Sequence, residues 1–166
     1  MTPAPYRYFE DFAVGDVIEL GRFPPLTEDD IIDFARQWDP QPFHIDPERA
    51  KESIFGGLIA SGWHTGAIAM RLMVDGLLKD AATQGSPGLA GLRFLRPVRP
   101  GDTLSARYTV LEATPSTHRP AIGKVRALTE LINQNGEVVV ALDGTGFFDR
   151  RERPAEGIHQ DADGAG

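Results

Sequence analysis

The chain has 166 residues, 41% hydrophobic and 25% charged, which is typical of one soluble globular domain with a sizeable core. It contains no cysteine, so a disulfide framework, a thiolate nucleophile and thiolate metal ligands are excluded. The net charge of −7 disfavours nucleic acid and anionic membranes as partners. The start of the chain has no signal-peptide pattern, and no apolar run approaches the roughly 20 residues of a membrane span. We therefore expect a cytoplasmic protein with no nucleic-acid or membrane partner.

The two ends of the chain have little to bury. Residues 1–5 carry two prolines, and residues 151–166 consist mainly of glycine, alanine and charged residues. We expect both to be loose, with 1–150 as a single domain and 151–166 as a flexible C-terminal tail.

The N-terminal part predicts a strand followed by a helix. Residues 16–20 alternate weakly and favour a short strand. Residues 26–39 favour a helix with Thr27 as its N-cap and acidic residues in the first turn. Pro40 ends that helix because a proline disfavours helical geometry in the residue before it. The apolar residues expected to share its buried face are Ile31, Phe34, Ala35 and Trp38.

A second short helix is predicted over 47–53. Asp46 is its N-cap and Pro47 its first residue. The preceding segment, residues 39–46, is interrupted by prolines, and we expect it to be too broken for regular helix or strand.

The longest helical pattern covers residues 62–80. Apolar residues occupy most of its circumference, which indicates a buried helix. Arg71, Asp75 and Lys79 form one polar stripe at a spacing of four. The residues expected to share one buried face are Trp63, Ala67, Met70, Val74 and Leu77.

The remainder of the chain is rich in β-strand patterns. Strands are predicted over 91–98, 102–111, 124–132 and 137–148, with an RPGD turn at 99–102 and an Asn-Gly hairpin signal at 135–136. The residues expected to face inward are Leu104, Ala106, Tyr108 and Val110 on one strand and Val125, Ala127, Thr129 and Leu131 on the next.

This order of elements predicts an α+β domain. A meander of four antiparallel strands wraps around the long helix, so that the helix and the concave face are buried together, as in a hotdog fold. Such a sheet keeps an open edge, which pairing with a second copy would cover. We therefore expect a homodimer or a higher even oligomer.

The sequence DPQPFHIDPERA at 39–50 resembles the hydratase motif of the MaoC-like dehydratases and (R)-specific enoyl-CoA hydratases. In that family an aspartate is followed five residues later by a histidine, and Asp39, Pro42, His44 and Ala50 match in type and spacing. Gln41 departs from the family's asparagine.

The next segment, GLIASGWHTGAIAM at 57–70, resembles the part of the family in which a glycine opens the buried helix. Ala67 stands where a serine is often found. The resemblance covers roughly residues 10–150.

The resemblance implies addition or removal of water at the C2=C3 bond of an acyl thioester, the enoyl-CoA hydratase or 3-hydroxyacyl-CoA dehydratase chemistry of fatty-acid metabolism. Asp39 would be the base, and His44 would hold the same water and pass a proton. Backbone N–H groups at the helix start, Gly62, would form the oxyanion hole. Coenzyme A would carry the substrate, with no separate cofactor and no metal. The candidate substrate-binding residues are Gln41, Phe43, Trp63 and Ala67.

Simpler structural roles remain open for these residues. Asp39 could be a turn residue, since Asp-Pro commonly begins turns, and His44 could be a half-buried histidine without chemistry. Asp46 is better explained as a cap than as a catalyst, and His64 as part of the polar stripe. His44, Asp46 and His64 lack a recognised metal-ligand spacing.

Two other functions also remain open. One is a hotdog thioesterase, although the long helix carries its acidic residue, Asp75, far from its N-terminus. The other is a non-catalytic subunit that binds acyl-CoA, which Gln41 and Ala67 keep in consideration. The basic residues that could meet coenzyme A phosphates, or simply be solvated, are Arg93, Arg96, Arg99, Lys124 and Arg126.

Overall fold

The structure is a computed structural model that describes residues 6–151 of the chain. Two single-turn 3-10 helices occur at Phe9–Asp11 and Leu78–Asp80. The other elements, in chain order, are β1 (Val17–Phe23), α1 (Glu28–Trp38), α2 (Pro42–Ile45), α3 (Pro47–Lys51), α4 (Gly62–Gly76), β2 (Gly88–Phe94), β3 (Leu104–Pro115), β4 (Ile122–Ile132) and β5 (Val138–Asp149).

The five strands form one antiparallel sheet in the order β1-β3-β4-β5-β2. The prediction of four strands in a simple meander is therefore wrong at β2, which pairs with β5 at the far edge instead of with β3. The connection between β2 and β3 contains Pro97 and Pro100, which cannot donate ladder hydrogen bonds. It crosses beneath the start of α4, where Val98 is buried and its carbonyl accepts a 2.8 Å hydrogen bond from Ala60 N–H.

The inward-facing pattern predicted for β3 and β4 is confirmed, and so is the hairpin predicted after β4. Gly136 has φ +77°, and its N–H bonds the carbonyl of Asn133, as the predicted hairpin between β4 and β5 requires. The side chains predicted to face inward are all buried, namely Leu104, Ala106, Tyr108 and Val110 on β3 and Val125, Ala127, Thr129 and Leu131 on β4.

The long helix lies against the sheet but turns a different face to it than predicted. Trp63 is 64% exposed, and Ala67, Met70 and Val74 are exposed with it, whereas Leu77 is buried as expected. The face that is buried consists of Thr65, Ile68, Ala69, Leu72 and Met73. The helix is apolar around most of its circumference, so periodicity could not choose between two apolar faces.

The long helix is also shorter than the predicted span 62–80. It ends at Gly76, where a Cβ atom would lie 2.6 Å from the backbone of Leu20 on β1. A glycine at this point lets the end of α4 approach β1 closely.

The first helix is capped as predicted. Thr27 Oγ1 accepts a 3.1 Å hydrogen bond from Asp30 N–H, and Asp30 Oδ2 accepts one of 2.9 Å from Thr27 N–H, which is a capping box. Ile31 and Ala35 are buried. Trp38 is 70% exposed, against expectation, because it ends the helix beyond the edge of the core.

The ends of the domain are described only in part. The segment 1–5 and all but the first residue of the predicted tail 151–166 lie outside the described residues. Arg151 itself is held to the domain, since its guanidinium donates to Asp11 and its N–H donates to Glu10 at 2.9 Å. No helix within residues 6–151 has the length and apolar character needed to cross a membrane.

Candidate active site

A cavity of about 540 Å³ opens beside the start of α4. Its walls come from the end of α1, from α2, and from the end of β2 and the residues after it, 94–98. Six of the seven residues singled out from the sequence line it, namely Asp39, Gln41, Phe43, His44, Gly62 and Trp63. Ala67 is not brought to this cavity, because its position on α4 turns it to the exposed outer face.

Asp39 and His44 face each other in this cavity. Asp39 Oδ2 lies 3.3 Å from His44 Nε2. Asp39 is the C-cap of α1, and the expectation of irregular backbone after it is corrected by α2, one helical turn with Pro42 at its first position. Proline fits there because the first helical residue needs no N–H partner. That turn carries His44 back toward Asp39.

The contact made by Nδ1 determines which tautomer the neutral His44 ring adopts. Nδ1 lies 2.8 Å from the carbonyl oxygen of Ile59, which can only accept, so Nδ1 carries the hydrogen. In the neutral ring Nε2 is then an acceptor, and so is the carboxylate of Asp39. One water molecule beside the pair can donate a hydrogen bond to each.

Asp39 is held as a carboxylate by two donors. Burial raises its pKa, but hydrogen bonds from Ser61 Oγ (2.7 Å) and Gln41 Nε2 (2.8 Å), together with the positive charge of His44 when its ring is protonated, outweigh burial and leave the pKa below its ordinary value of 3.8. The negative end of a helix also disfavours a carboxylate. The two donors offset that unfavourable position.

Ser61 was not identified from the sequence as a site residue. It is fully buried and is the N-cap of α4, where its Oγ accepts from Trp63 N–H at 3.2 Å while donating to Asp39. A serine directly before a helical pattern is an N-cap signal, so the sequence did contain a means of finding it. Its hydroxyl therefore links the carboxylate of Asp39 to the first turn of α4.

The start of α4 offers a free donor to the cavity. Within residues 6–151, the N–H of Gly62 has no hydrogen-bond acceptor. A Cβ atom at this position would lie 2.5 Å from the ring of Phe94, so glycine makes room for that ring over the helix start. Unpaired N–H groups at the positive end of a helix attract negative charge.

The remaining residues of the cavity have structural as well as lining roles. Phe43 packs edge-on against His44, with ring centroids 4.5 Å apart, and also contacts Phe55. The amide of Gln41 is engaged with Asp39. Trp63 stands exposed at the mouth.

The other acids and histidines considered from the sequence lie outside this cavity. Asp46 caps α3 through hydrogen bonds to the N–H groups of Glu48 and Arg49, as predicted. His64 stacks on Phe34 with ring centroids 4.4 Å apart, and burial lowers its pKa despite the opposing effect of Asp30. Over the described part of the chain, no three His, Asp or Glu side chains form a group that could hold a metal ion.

The basic residues considered from the sequence differ in how far other residues of the protein already occupy their guanidinium groups. Arg126 is bound to Asp143 and Glu112, and Arg99 donates to the carbonyl of Phe55. Arg96 lines the cavity, and its ion pair with Glu137 is long, at 3.5 Å.

The model of the family described as the MaoC-like domain matches residues 11–134. This chain belongs to that family. The matched span contains both members of the Asp39–His44 pair and every residue that lines the cavity except Val140.

Matches to individual proteins support this assignment. The chain is 43% identical to the MaoC-like dehydratase from Rhodospirillum rubrum, whose crystal structure superimposes with a TM-score of 0.81 over 88% of this chain and 99% of that one. It is 33% identical to the uncharacterized protein YdeM of Bacillus subtilis, over 75% of this chain and 86% of that protein. It is 29% identical to the (R)-specific enoyl-CoA hydratase of Rhodospirillum rubrum, over 66% of this chain and 73% of that protein. The α+β hotdog fold predicted from the sequence is confirmed.

We expect Ser61→Ala to raise the pKa of Asp39, because it removes the shorter of the two hydrogen bonds that favour the ionised carboxylate. A carboxyl carbon titration by NMR measures this pKa. Ser105→Ala, which alters a hydroxyl on β3 outside the cavity, is the control and should leave it unchanged. An unchanged or lowered Asp39 pKa in the Ser61 variant would contradict the role given to Ser61.

Proposed function

We propose that this protein is a hydro-lyase that adds or removes water at the C2=C3 double bond of an acyl thioester carried by coenzyme A. The observation that carries the proposal is the Asp39–His44 pair, 3.3 Å apart, in one cavity with the free N–H of Gly62. The enoyl-CoA hydratase among the relatives supports the same class of reaction.

In the hydration direction, the pair would activate one water molecule. Asp39 accepts a proton as the water oxygen bonds to C3 of the substrate. That proton passes to His44 Nε2, which lies 3.3 Å from Asp39 Oδ2, and His44 delivers it to C2. Both residues then regain their starting protonation state, and the product has gained one water.

The thioester carbonyl would be bound at the start of α4. Negative charge builds on its oxygen as C3 is attacked, and the N–H of Gly62 is a fixed donor at the positive end of the helix. One such donor contributes about 3–4 kcal/mol in enzymes where it has been removed. This part of the site acts mainly on the transition state.

The coenzyme A end of the substrate would pass Arg96. Of the five basic residues considered from the sequence, it is the one that lines the cavity, and its contact with Glu137 is weak. Arginine suits phosphate because its planar guanidinium donates two parallel hydrogen bonds.

We expect Asp39→Asn and His44→Gln each to lower the turnover of crotonyl-CoA by about 10²–10⁴-fold, because each removes a proton-transfer group. Turnover is measured as loss of the enoyl absorbance, and acyl-CoA binding is measured by calorimetry. Asp33→Asn, on the exposed side of α1, is a matched control that should keep full activity.

The same variants separate the other two functions when release of free thiol is measured as well. A thioesterase would release free thiol from acyl-CoA, but α4 carries its acidic residue, Asp75, in an ion pair with Arg71 outside the cavity. A non-catalytic binder would turn over no substrate, and the Asp39→Asn change would leave its affinity for acyl-CoA unaltered. Absence of turnover for short, long and branched enoyl thioesters would refute the hydro-lyase assignment.

We also propose that the protein is a homodimer. β2 is an open sheet edge, and apolar side chains are exposed on it, directly after it and on the outer face of α4. Unpaired edges of this kind are usually covered. The exposed side chains concerned are Leu89, Phe94, Leu95, Trp63, Met70 and Val74.

Sedimentation equilibrium should therefore give twice the mass of the 18.1 kDa chain. Val74→Lys places a charge on the outer face of α4 and should weaken the dimer, because burying an unpaired charge is costly. Val14→Lys, at an exposed valine before β1, is the matched control. A monomeric wild-type protein at micromolar concentration would contradict this proposal.

A further inference from the structure

His64 is a half-buried titratable residue that the proposed reaction does not use. It is the third residue of α4, two positions after Gly62, and it lies outside the candidate active-site cavity. Its ring lies face to face with the ring of Phe34 on α1, with centroids 4.4 Å apart and planes inclined by 6°. Its Nδ1 atom is buried and has no hydrogen-bond partner within residues 6–151. A buried polar atom without a partner needs an explanation.

The unpaired nitrogen determines which form of the His64 ring the fold accepts. A hydrogen on Nδ1 would be a buried donor without an acceptor, which is costly. The neutral ring avoids this cost when its hydrogen lies on Nε2. The charged ring carries a hydrogen on both nitrogens and cannot avoid it. The first turn of α4 disfavours a positive charge as well, because it is the positive end of the helix.

Two groups on α1 oppose this preference for the neutral ring. The carboxylate of Asp30 attracts a charged His64, and the π face of Phe34 attracts a cation too. Within residues 6–151, no other charged group acts appreciably on the ring. Burial has the larger effect and lowers the pKa of His64 below its ordinary value of 6.5. We therefore expect a neutral imidazole at neutral pH.

The stack joins the same two helices as the hydrogen bond from Ser61 to Asp39. Phe34 comes five residues before Asp39 on α1, and His64 comes three residues after Ser61 on α4. The stack is therefore about one helical turn away from the hydrogen bond on both helices. It holds the two helices together close to the point where that hydrogen bond forms.

We propose that His64 is a positioning residue, whose neutral ring, stacked on Phe34, fixes the end of α1 against the start of α4 and so keeps Asp39 within hydrogen-bonding distance of Ser61. This inference rests on the proposed function for the role of Asp39, but the geometry itself can be measured without turnover. Hydrogen bonds weaken steeply when their geometry is disturbed, so a small displacement of either helix would weaken the 2.7 Å bond between Ser61 and Asp39.

The test compares His64→Ala, which removes the stack, with His64→Phe, which keeps an aromatic ring. His64→Ala should raise the pKa of Asp39, measured by carboxyl carbon NMR, because the bond from Ser61 is weakened. It should also lower kcat for crotonyl-CoA about 10–100-fold, the effect of a displaced catalytic group, and change KM about twofold or less. His64→Phe should restore both the pKa and kcat to near the wild-type values.

Phe12→Leu is the matched control for a general loss of packing. Phe12 is buried, its ring contacts that of Phe148, and it lies outside the candidate active-site cavity. This change should lower stability but leave kcat and the pKa of Asp39 unchanged at a temperature where the variant is folded by circular dichroism.

Two results would overturn the positioning role. One is a folded His64→Ala protein in which the pKa of Asp39 and kcat equal those of wild type. The other is a His64→Phe protein as impaired as His64→Ala. If His64→Ala does not fold, Phe34→Leu removes the stack from the side of α1 and should give the same two changes. Unchanged values in that variant would overturn the proposal equally.

A titration of the wild-type protein tests the neutral ring. His64 should titrate below pH 6.5 by NMR, with its hydrogen on Nε2 in the neutral form. The unfolded chain then takes up a proton at a higher pH than the folded one, so the stability given by the neutral ring is present above pH 6.5 and is lost as pH falls below it. The stability of His64→Phe should fall less over that range. A ring that titrates at or above pH 6.5, or carries its hydrogen on Nδ1, would contradict the neutral ring.

The pKa of Asp39 separates the positioning role from the chemistry. If no enoyl thioester is turned over, the proposed reaction fails, and the pKa of Asp39 in His64→Ala still tests the position of the carboxylate. A raised pKa that His64→Phe restores supports the positioning role on its own. An unchanged pKa overturns it.

Discussion

The hydrogen bond from Ser61 to Asp39 is the interaction on which the rest of the site depends. One hydroxyl caps the first turn of α4 and at the same time stabilises the carboxylate at the end of α1. The proposed base, Asp39, and the N–H groups proposed to bind the thioester oxygen are therefore placed relative to each other by a single buried side chain. A shift of the helix start would move both, so the geometry of the site depends directly on how α4 packs.

The position of α4 explains why the cavity lies where it does. The helix packs toward β1, β3 and β4, and its end approaches β1 closely at Gly76. At its start the helix also lies against the end of β2, where Gly62 leaves room for the ring of Phe94. The same asymmetry leaves Trp63 and Met70 exposed, next to the open edge of β2. The candidate active-site cavity and the proposed dimer surface thus both follow from the way α4 packs on the sheet.

Much of the fold could be predicted from local sequence, and the failures have physical causes. The alternation on β3 and β4 and the caps at Thr27 and Asp46 are local signals, and they were correct. The partner of β2 and the buried face of α4 depend on long-range packing, because an all-round apolar helix and a proline-containing connection each allow two arrangements. In the site, the spacing of Asp39 and His44 pointed to their pairing. Ser61 was missed although its N-cap signal was present. Ala67 was placed at the substrate by the family resemblance, whereas α4 turns it to the exposed outer face.

We propose that Asp39 and His44 together hold one water molecule, with the imidazole protonated at Nδ1. Neutron diffraction from a deuterated crystal of the unliganded protein tests it most directly, because it locates hydrogens as well as the water. The account predicts deuterium on His44 Nδ1, directed at the Ile59 carbonyl, and one water donating to both Asp39 and His44 Nε2. A ring deuterated only on Nε2, or a pair with no water in common, would contradict it.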